Sequence, residues 1–286
     1  MPSVISVQSH VCYGHVGNSA AVFAMQKLGV EVHAIPTTIL SNHPAHSSFY
    51  GRAIDPSLLH DLFVGVEERE AFKSSDVILS GYLASIKNGE VIASAVKRYK
   101  QLNPKGLYCL DPVMGDKGKG VFVSEGIPEL IMDQLLPLAD IITPNKFEFD
   151  KITHTNANSY TEMITEARSL IEQYNLRCVV ITSAEQPSDK GNQAIGVLIV
   201  RAEAAWLITT PYLTVSPSGT GDFFTGLLVG WITRGFSEEI AAQKSICALF
   251  RIIELTISGG RDELDIITHQ KCIFTEIENY PLKKCE

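Results

Sequence analysis

Short apolar runs alternate along this chain with longer stretches in which apolar residues return every three or four positions. VISVQS (4–9), VHAIPT (32–37), DVILSG (76–81), LYCLDP (107–112), DIITP (140–144) and CVVITS (178–183) read as strands. IGVLIV (195–200) and AWLITT (205–210) follow one another closely and read as an antiparallel pair. Helical stretches are expected at 17–28, 56–71, 87–102, 124–136 and 159–174, then at 221–234 and 237–257. In 159–174, for example, Met163, Ala167, Leu170, Ile171 and Tyr174 recur at helical spacing. Strand–helix alternation on this scale predicts an α/β fold, three layers with a central, mostly parallel sheet covered on both faces. Without an internal repeat, low-complexity tract or Pro/Gly/Ser-rich linker, residues 1–286 are expected to form a single domain.

Composition narrows the function classes. A chain of 286 residues that is 45% hydrophobic and 20% charged suits a globular protein with a substantial core. The formal net charge of -8, with no Lys/Arg block, argues against non-specific nucleic-acid binding, although backbone amides and a few lysines can still bind phosphate. No uninterrupted apolar run approaches about 20 residues, so no membrane span is expected. MPSVISVQSH has neither a basic nor an apolar leader segment, and a cytoplasmic location is expected. Cysteines 12, 109, 178, 247, 272 and 285 form no CxxC and read as reduced thiols. His43 and His46 have no nearby third ligand, so no metal site is expected on them.

In sheets of this kind ligands gather beyond the carboxyl ends of the strands. The residues there are Ser9-His10, Ser80-Gly81-Tyr82, Asp111-Pro112, Thr143-Pro144-Asn145 and Thr182-Ser183. Three acid-bearing segments share that rim: DPVMGDKGKG (111–120), TPNKFEFD (143–150) and GTGD (219–222). Asp111, Asp116 and Glu148 suit Mg²⁺ held mostly through water, a nucleotide supplying further oxygens. Gly219, Thr220 and Gly221 precede an apolar helix, FFTGLLVGWI, whose free N–H groups favour an anion. Asp222 has two readings: a helix cap, or the group that takes a proton from an alcohol attacking phosphorus. The helix dipole is expected to lower its pKa and make it a weak base. Together these features point to phosphoryl transfer to a hydroxyl. No GxxxxGK[ST] is present, and HVCYGHVGN after the first strand lacks the dinucleotide fingerprint.

The order of motifs then resembles the ribokinase-like superfamily, and within it the pyridoxal kinases, over nearly the whole chain. The matching stretches are QSHVCYGHVGNSAA (8–21), SNHPAH (41–46), LSGYLAS (79–85), DPVMGDKG (111–118), TPNKFE (143–148), VVITSA (179–184) and SGTGDFFTG (218–226). The resemblance implies ATP-dependent phosphorylation of the 5′-hydroxymethyl group of pyridoxal and related B6 vitamers. It implies Asp222 as catalytic base, with Gly219, Thr220 and Gly221 as the anion hole. Ser9, His43 and Tyr82 would contact the vitamer. Asp111, Asn145, Glu148, Thr182, Ser183 and Thr220 would lie about the nucleotide, with Asp111 and Glu148 near the Mg²⁺ and K⁺ sites. DKGKG would belong to a loop closing over ATP, and a homodimer is implied. Singly, Tyr82, Ser9 and His43 have ordinary structural readings as an aromatic, a turn former and a loop histidine. One departure stands out: many relatives carry Thr-Gly where this chain has Pro44-Ala45, which bears on the shape of the vitamer pocket. Cys12, just past the first strand, would lie close to an aldehyde substrate. Rival readings are a hydroxymethylpyrimidine or sugar kinase of the same superfamily, and a non-catalytic pyridoxal phosphate binder.

Overall fold

The computed structural model describes residues 1–185, 194–213, 217–274 and 280–285. Its strands are β1 (Ser3–Val11), β2 (Glu31–Leu40), β3 (Gly51–Ala53), β4 (Val77–Ser80), β5 (Leu107–Leu110), β6 (Gly115–Asp116), β7 (Gly120–Val121), β8 (Ile141–Ile142), β9 (Cys178–Ala184), β10 (Ala194–Val200), β11 (Ala205–Pro211) and β12 (Lys283–Lys284). Ten of them form one sheet in the order β12-β11-β10-β9-β8-β5-β4-β1-β2-β3, and β6 pairs with β7 separately. The six strands from β9 to β2 run parallel. Antiparallel pairings extend both flanks, including the expected β10–β11 pair.

Alternation of side chains across the pleat explains why the central strands are apolar throughout. Val4, Val77, Leu79, Cys109, Ile141, Cys178 and Val180 pack into one helical layer. Their chain neighbours Ile5, Ile78, Tyr108, Leu110, Ile142, Val179 and Ile181 pack into the other. The first layer holds α1 (Asn18–Lys27) and the helices Thr220–Thr233 and Glu238–Ser258. The second holds α2 (Pro56–Glu68), α4 (Ile86–Leu102) and α7 (Tyr160–Tyr174), with the one-turn α3 (Ala71–Ser74) and α5 (Ile127–Leu130) and the short α6 (Lys146–Thr153). The three-layer α/β/α arrangement follows.

Several boundaries differ from the sequence expectation. Residues 124–136 do not form one helix: α5 passes into a π turn, Ile131–Leu135, and a 3-10 turn, Leu136–Leu138. Pro137 lacks an N–H and crowds the carbonyl four residues earlier, which disfavours a regular α turn. The 56–71 stretch breaks after Glu68, where Glu70 takes a left-handed φ of 63°. β1 runs on to Val11 past a register shift between Gln8 and His10, so Ser9 lies inside a strand rather than beyond one. No helix among the described residues is long and apolar enough to cross a membrane, and their cysteines form no disulfide.

Candidate active site

The strand order reverses between β1 and β4, which opens a crevice beyond their carboxyl ends. The Thr220–Thr233 helix points its amino end at this rim. Its residues Phe223 to Ile232 are all buried, which is why its sequence is apolar around the whole circumference. It packs hard on α1: a Cβ on Gly226 would lie 2.7 Å from Ala21 Cα, and one on Gly230 would lie 2.7 Å from Leu28 Cδ1. Phe223 and Phe224, at 0% and 2% exposure, each contribute roughly 1.5–3 kcal/mol to holding the helix there.

Gly219 occupies the cap position with φ 86°, and a Cβ there would overlap the His15 carbonyl oxygen. Only glycine meets both demands without strain. Phe223 N–H donates to Gly219 O at 2.9 Å, so the amides of Thr220, Gly221 and Asp222 lie at the open end. Around Gly221 a Cβ would meet nothing within 4 Å, leaving room in front of those amides. Asp222 is therefore the third helical residue, and the cap reading of it does not hold. The backbone N–H of Gly17 instead acts on its carboxylate in favour of the ionised form. Burial pushes its pKa up to about 6 from the ordinary 3.8, against the opposing Gly17 bond. The lowered pKa expected from the helix dipole is thus overturned, because desolvation of the carboxylate outweighs the field of the helix end.

Gly17 also joins Asp222 to Ser9. With φ 55°, it presses so closely on Ser9 that a Cβ would overlap both the Ser9 carbonyl oxygen and its Oγ. Tyr82, past β4 and next to β1, is half-buried, and its carbonyl accepts the Thr37 hydroxyl at 2.6 Å. His43 lies on the 41–50 loop, with its Nδ1 3.4 Å from Ser218 Oγ. The Ala45 backbone N–H donates to that same Nδ1 at 3.2 Å. An amide N–H can only donate, so Nδ1 is unprotonated and the neutral ring carries its proton on Nε2. Burial lowers the His43 pKa, Glu263 opposes this, and Lys119 and His46 add to it. The Pro44-Ala45 departure acquires a physical basis: His46 N–H donates to His43 O at 3.2 Å, closing a turn in which Pro44 takes the second position.

Across the rim, Asp111 is buried just past β5. Burial raises its pKa well above the ordinary value, and the nearby carboxylates of Glu148 and Asp222 raise it further. The Thr225 hydroxyl, one turn after Asp222, acts on Asp111 in favour of its ionised form and donates to Thr143 Oγ1 at 3.3 Å. Glu148 has both oxygens committed to backbone: Oε1 accepts Met114 N–H at 2.9 Å and Gly115 N–H at 3.4 Å, and Oε2 accepts Asn145 N–H at 2.9 Å. Glu148 N–H in turn donates to Asn145 Oδ1 at 2.9 Å, completing a capping box on α6. Burial lifts the Glu148 carboxyl to about 7 against those three amide bonds, and Asp116 adds repulsion. Asp116 itself stands on the β6–β7 hairpin, its Oδ1 accepting Lys117 N–H at 2.8 Å. Asn145 pairs with Thr182 by a parallel bridge, and Thr182 N–H donates to Pro144 O at 2.9 Å. Ser183 beside it holds a left-handed φ of 52°, a strained conformation of the kind that gathers at ligand sites.

Among the described residues, no three His, Cys, Asp or Glu side chains converge closely enough to hold a metal ion alone. The donor set nevertheless fits a cation brought in with phosphate. Glu148 and Asp222 both oppose the ionisation of Asp111, and a divalent ion that keeps most of its water would relieve that repulsion.

Residues 59–264 match the family described as phosphomethylpyrimidine kinase. The chain belongs to this family. A curated relative, pyridoxal kinase PdxY of Corynebacterium diphtheriae, is 38% identical over 271 residues, covering 95% of each chain. The solved pyridoxal kinase of Leishmania donovani in complex with ADP and pyridoxine superposes with a TM-score of 0.90 at 26% identity, covering 99% of each chain. That of Entamoeba histolytica, at 24% identity and TM-score 0.90, shares the fold. The fold of this family is thus the ribokinase-like one expected from the motifs. The roles of Gly17 and Thr225 were not among the sequence expectations. Gly17 lies inside the matching stretch QSHVCYGHVGNSAA and Thr225 inside SGTGDFFTG, three residues after Asp222, so the motifs contain both without showing what either touches.

Proposed function

We propose that this chain is a pyridoxal kinase, transferring the γ-phosphoryl group of ATP to the 5′-hydroxymethyl oxygen of pyridoxal, and of pyridoxine and pyridoxamine, in vitamin B6 salvage. The observation that carries this reading is Asp222: a desolvated carboxylate at the open amide end of a helix, tied through Gly17 to Ser9. In this reading Asp222 takes the proton of the attacking hydroxyl as its bond to phosphorus forms. The amides of Gly219, Thr220 and Gly221 receive the charge that develops on the transferring phosphoryl oxygens. Ser9, His43 and Tyr82 hold the vitamer, with His43 offering its Nε2–H as a donor. Asn145, Thr182, Ser183 and Thr220 face the nucleotide. Mg²⁺ would be held through water by Asp111, Asp116 and Glu148, and would neutralise phosphate charge. We assign Glu148 mainly a positioning task there, because backbone amides already take both of its oxygens. A K⁺ site near Asp111 and Glu148, a cytoplasmic homodimer and a single domain over 1–286 complete the proposal. It is supported by relatives named pyridoxal kinase that match nearly the full chain.

The family description favours one rival, phosphorylation of a hydroxymethylpyrimidine. ATP consumption with pyridoxal, pyridoxine, pyridoxamine and hydroxymethylpyrimidine in parallel separates the readings. Turnover of the B6 vitamers at a higher kcat/KM than the pyrimidine supports the proposal. The reverse order identifies a pyrimidine kinase, and tight pyridoxal phosphate binding without any turnover identifies a carrier.

A further inference from the structure

We propose that Glu263 is a positioning residue for phosphoryl transfer, a clasp that sets the substrate loop 41–50 against the turn at the start of the Thr220–Thr233 helix. Three separate segments meet on this one residue, two of them on its side chain. Its Oε1 takes the loop through His46 Nε2 at 2.7 Å. Its Oε2 accepts the backbone N–H of His15 at 3.4 Å. Gly14, with φ 89°, lets the carboxylate lie against the same turn, since a Cβ there would overlap Oε2. The Glu263 backbone, meanwhile, forms a parallel bridge with Ser218, the residue before the anion turn.

Each of those segments carries one part of the proposed machinery. The 14–17 turn supplies the amide that holds Asp222 and the carbonyl that abuts Gly219. The loop supplies His43, which meets Ser218 Oγ. Ser218 leads directly into Gly219. Glu263 is itself anchored by the fully buried Leu264 and Ile266, so it acts as a fixed post and not as a mobile tether. A carboxylate suits the post because it accepts from two donors at once, one on each oxygen. Tyr13 closes the same corner, meeting His46 edge to face with ring centroids 6.2 Å apart. The inference deepens the pyridoxal kinase reading and rests on it for the identity of the substrate alone.

The test uses the full chain carrying Glu263→Ala, Glu263→Gln or His46→Ala, with two readouts. Hydrogen exchange of segments 12–17 and 41–50 in the free protein needs no substrate, and Glu263→Ala is expected to accelerate it about tenfold or more, the scale of losing a charge-assisted hydrogen bond. In steady-state kinetics the same variant should raise the pyridoxal KM about tenfold while the ATP KM stays within about twofold. Glu263→Gln keeps an acceptor for His15, and its amide can donate to His46 Nε2 once that ring carries its proton on Nδ1, so it should recover part of the loss without the charge assistance. His46→Ala breaks only the loop side and should add little in combination with Glu263→Ala. Unchanged exchange at 41–50 in both alanine variants, or equal rises in both KM values, would overturn the clasp. If wild-type protein does not phosphorylate pyridoxal, the kinase reading fails, while the exchange measurement still decides for or against the clasp.

Discussion

Asp222→Asn separates chemical from structural work at the helix start, because it keeps the size and removes the basic oxygen. Two magnitudes follow. Loss of a general base lowers turnover by roughly 100-fold or more. Stability moves the other way. The folded carboxyl sits at about 6 against an ordinary 3.8, so the fold favours the protonated form. That difference is equivalent to about 3 kcal/mol against the ionised state. The penalty is fully present above about pH 6, fades as the pH falls through that value, and is gone below about 4. Asparagine never carries it. Since Asp222 retains a partial opening to solvent, a gain of about 1–3 kcal/mol is expected at pH 8, on the order of a few degrees in Tm. The assay is kcat at saturating ATP and pyridoxal, beside melting curves of both proteins at pH 8 and pH 4.5. A variant with near-normal kcat would refute the base assignment. A Tm difference that does not shrink toward acid pH would refute the claim that burial, rather than the helix dipole, sets this pKa.

Three further predictions concern neighbouring parts of the rim. Tyr82→Ala should raise the pyridoxal KM more than the ATP KM; equal shifts would mean that Tyr82 shapes the whole cleft. The β6–β7 hairpin carries Lys117, whose Nζ meets Glu185 Oε2 at 2.6 Å, and Lys119, near His43. Bound ATP–Mg²⁺ should slow trypsin cleavage after both lysines, and identical digestion rates with and without nucleotide would remove the closing-loop assignment. Gly219→Ala and Gly221→Ala should part company. The first forces a methyl into the His15 carbonyl at a left-handed φ and should lower Tm and kcat together. The second meets open space, so Tm should hold while kcat falls because the methyl intrudes where phosphoryl oxygens gather; unaltered kcat would place the anion elsewhere.

How much was legible in the sequence depends on how local the cause was. The parallel core was readable because strands buried on both faces must be apolar throughout, as VILS at 77–80 is. The glycine turn at the helix start was readable because glycine before an apolar helix has a local backbone reason. The two-residue β6 and β7, the three-residue β3 and the terminal β12 carry too few residues to show a period. Helix α6 went unread because its signal is the reciprocal Asn145–Glu148 cap, and Glu148 was read as a metal-site acid. Asp222 shows a different failure. Its place at a helix start is sequence-local, but its pKa is set by the protein packed over it. Glu263 lies 217 residues from His46 and 248 from His15, so only the fold brings them together.

The most direct test of the central claim is a competition in one vessel, with pyridoxal and hydroxymethylpyrimidine at equal concentration, limiting ATP–Mg²⁺, and products resolved by mass and chromatography. The account predicts that pyridoxal 5′-phosphate is the main product, and that Asp222→Asn lowers its rate of appearance by roughly 100-fold. Phosphorylated pyrimidine as the main product, or ATP consumed without any phosphorylated alcohol, would contradict it.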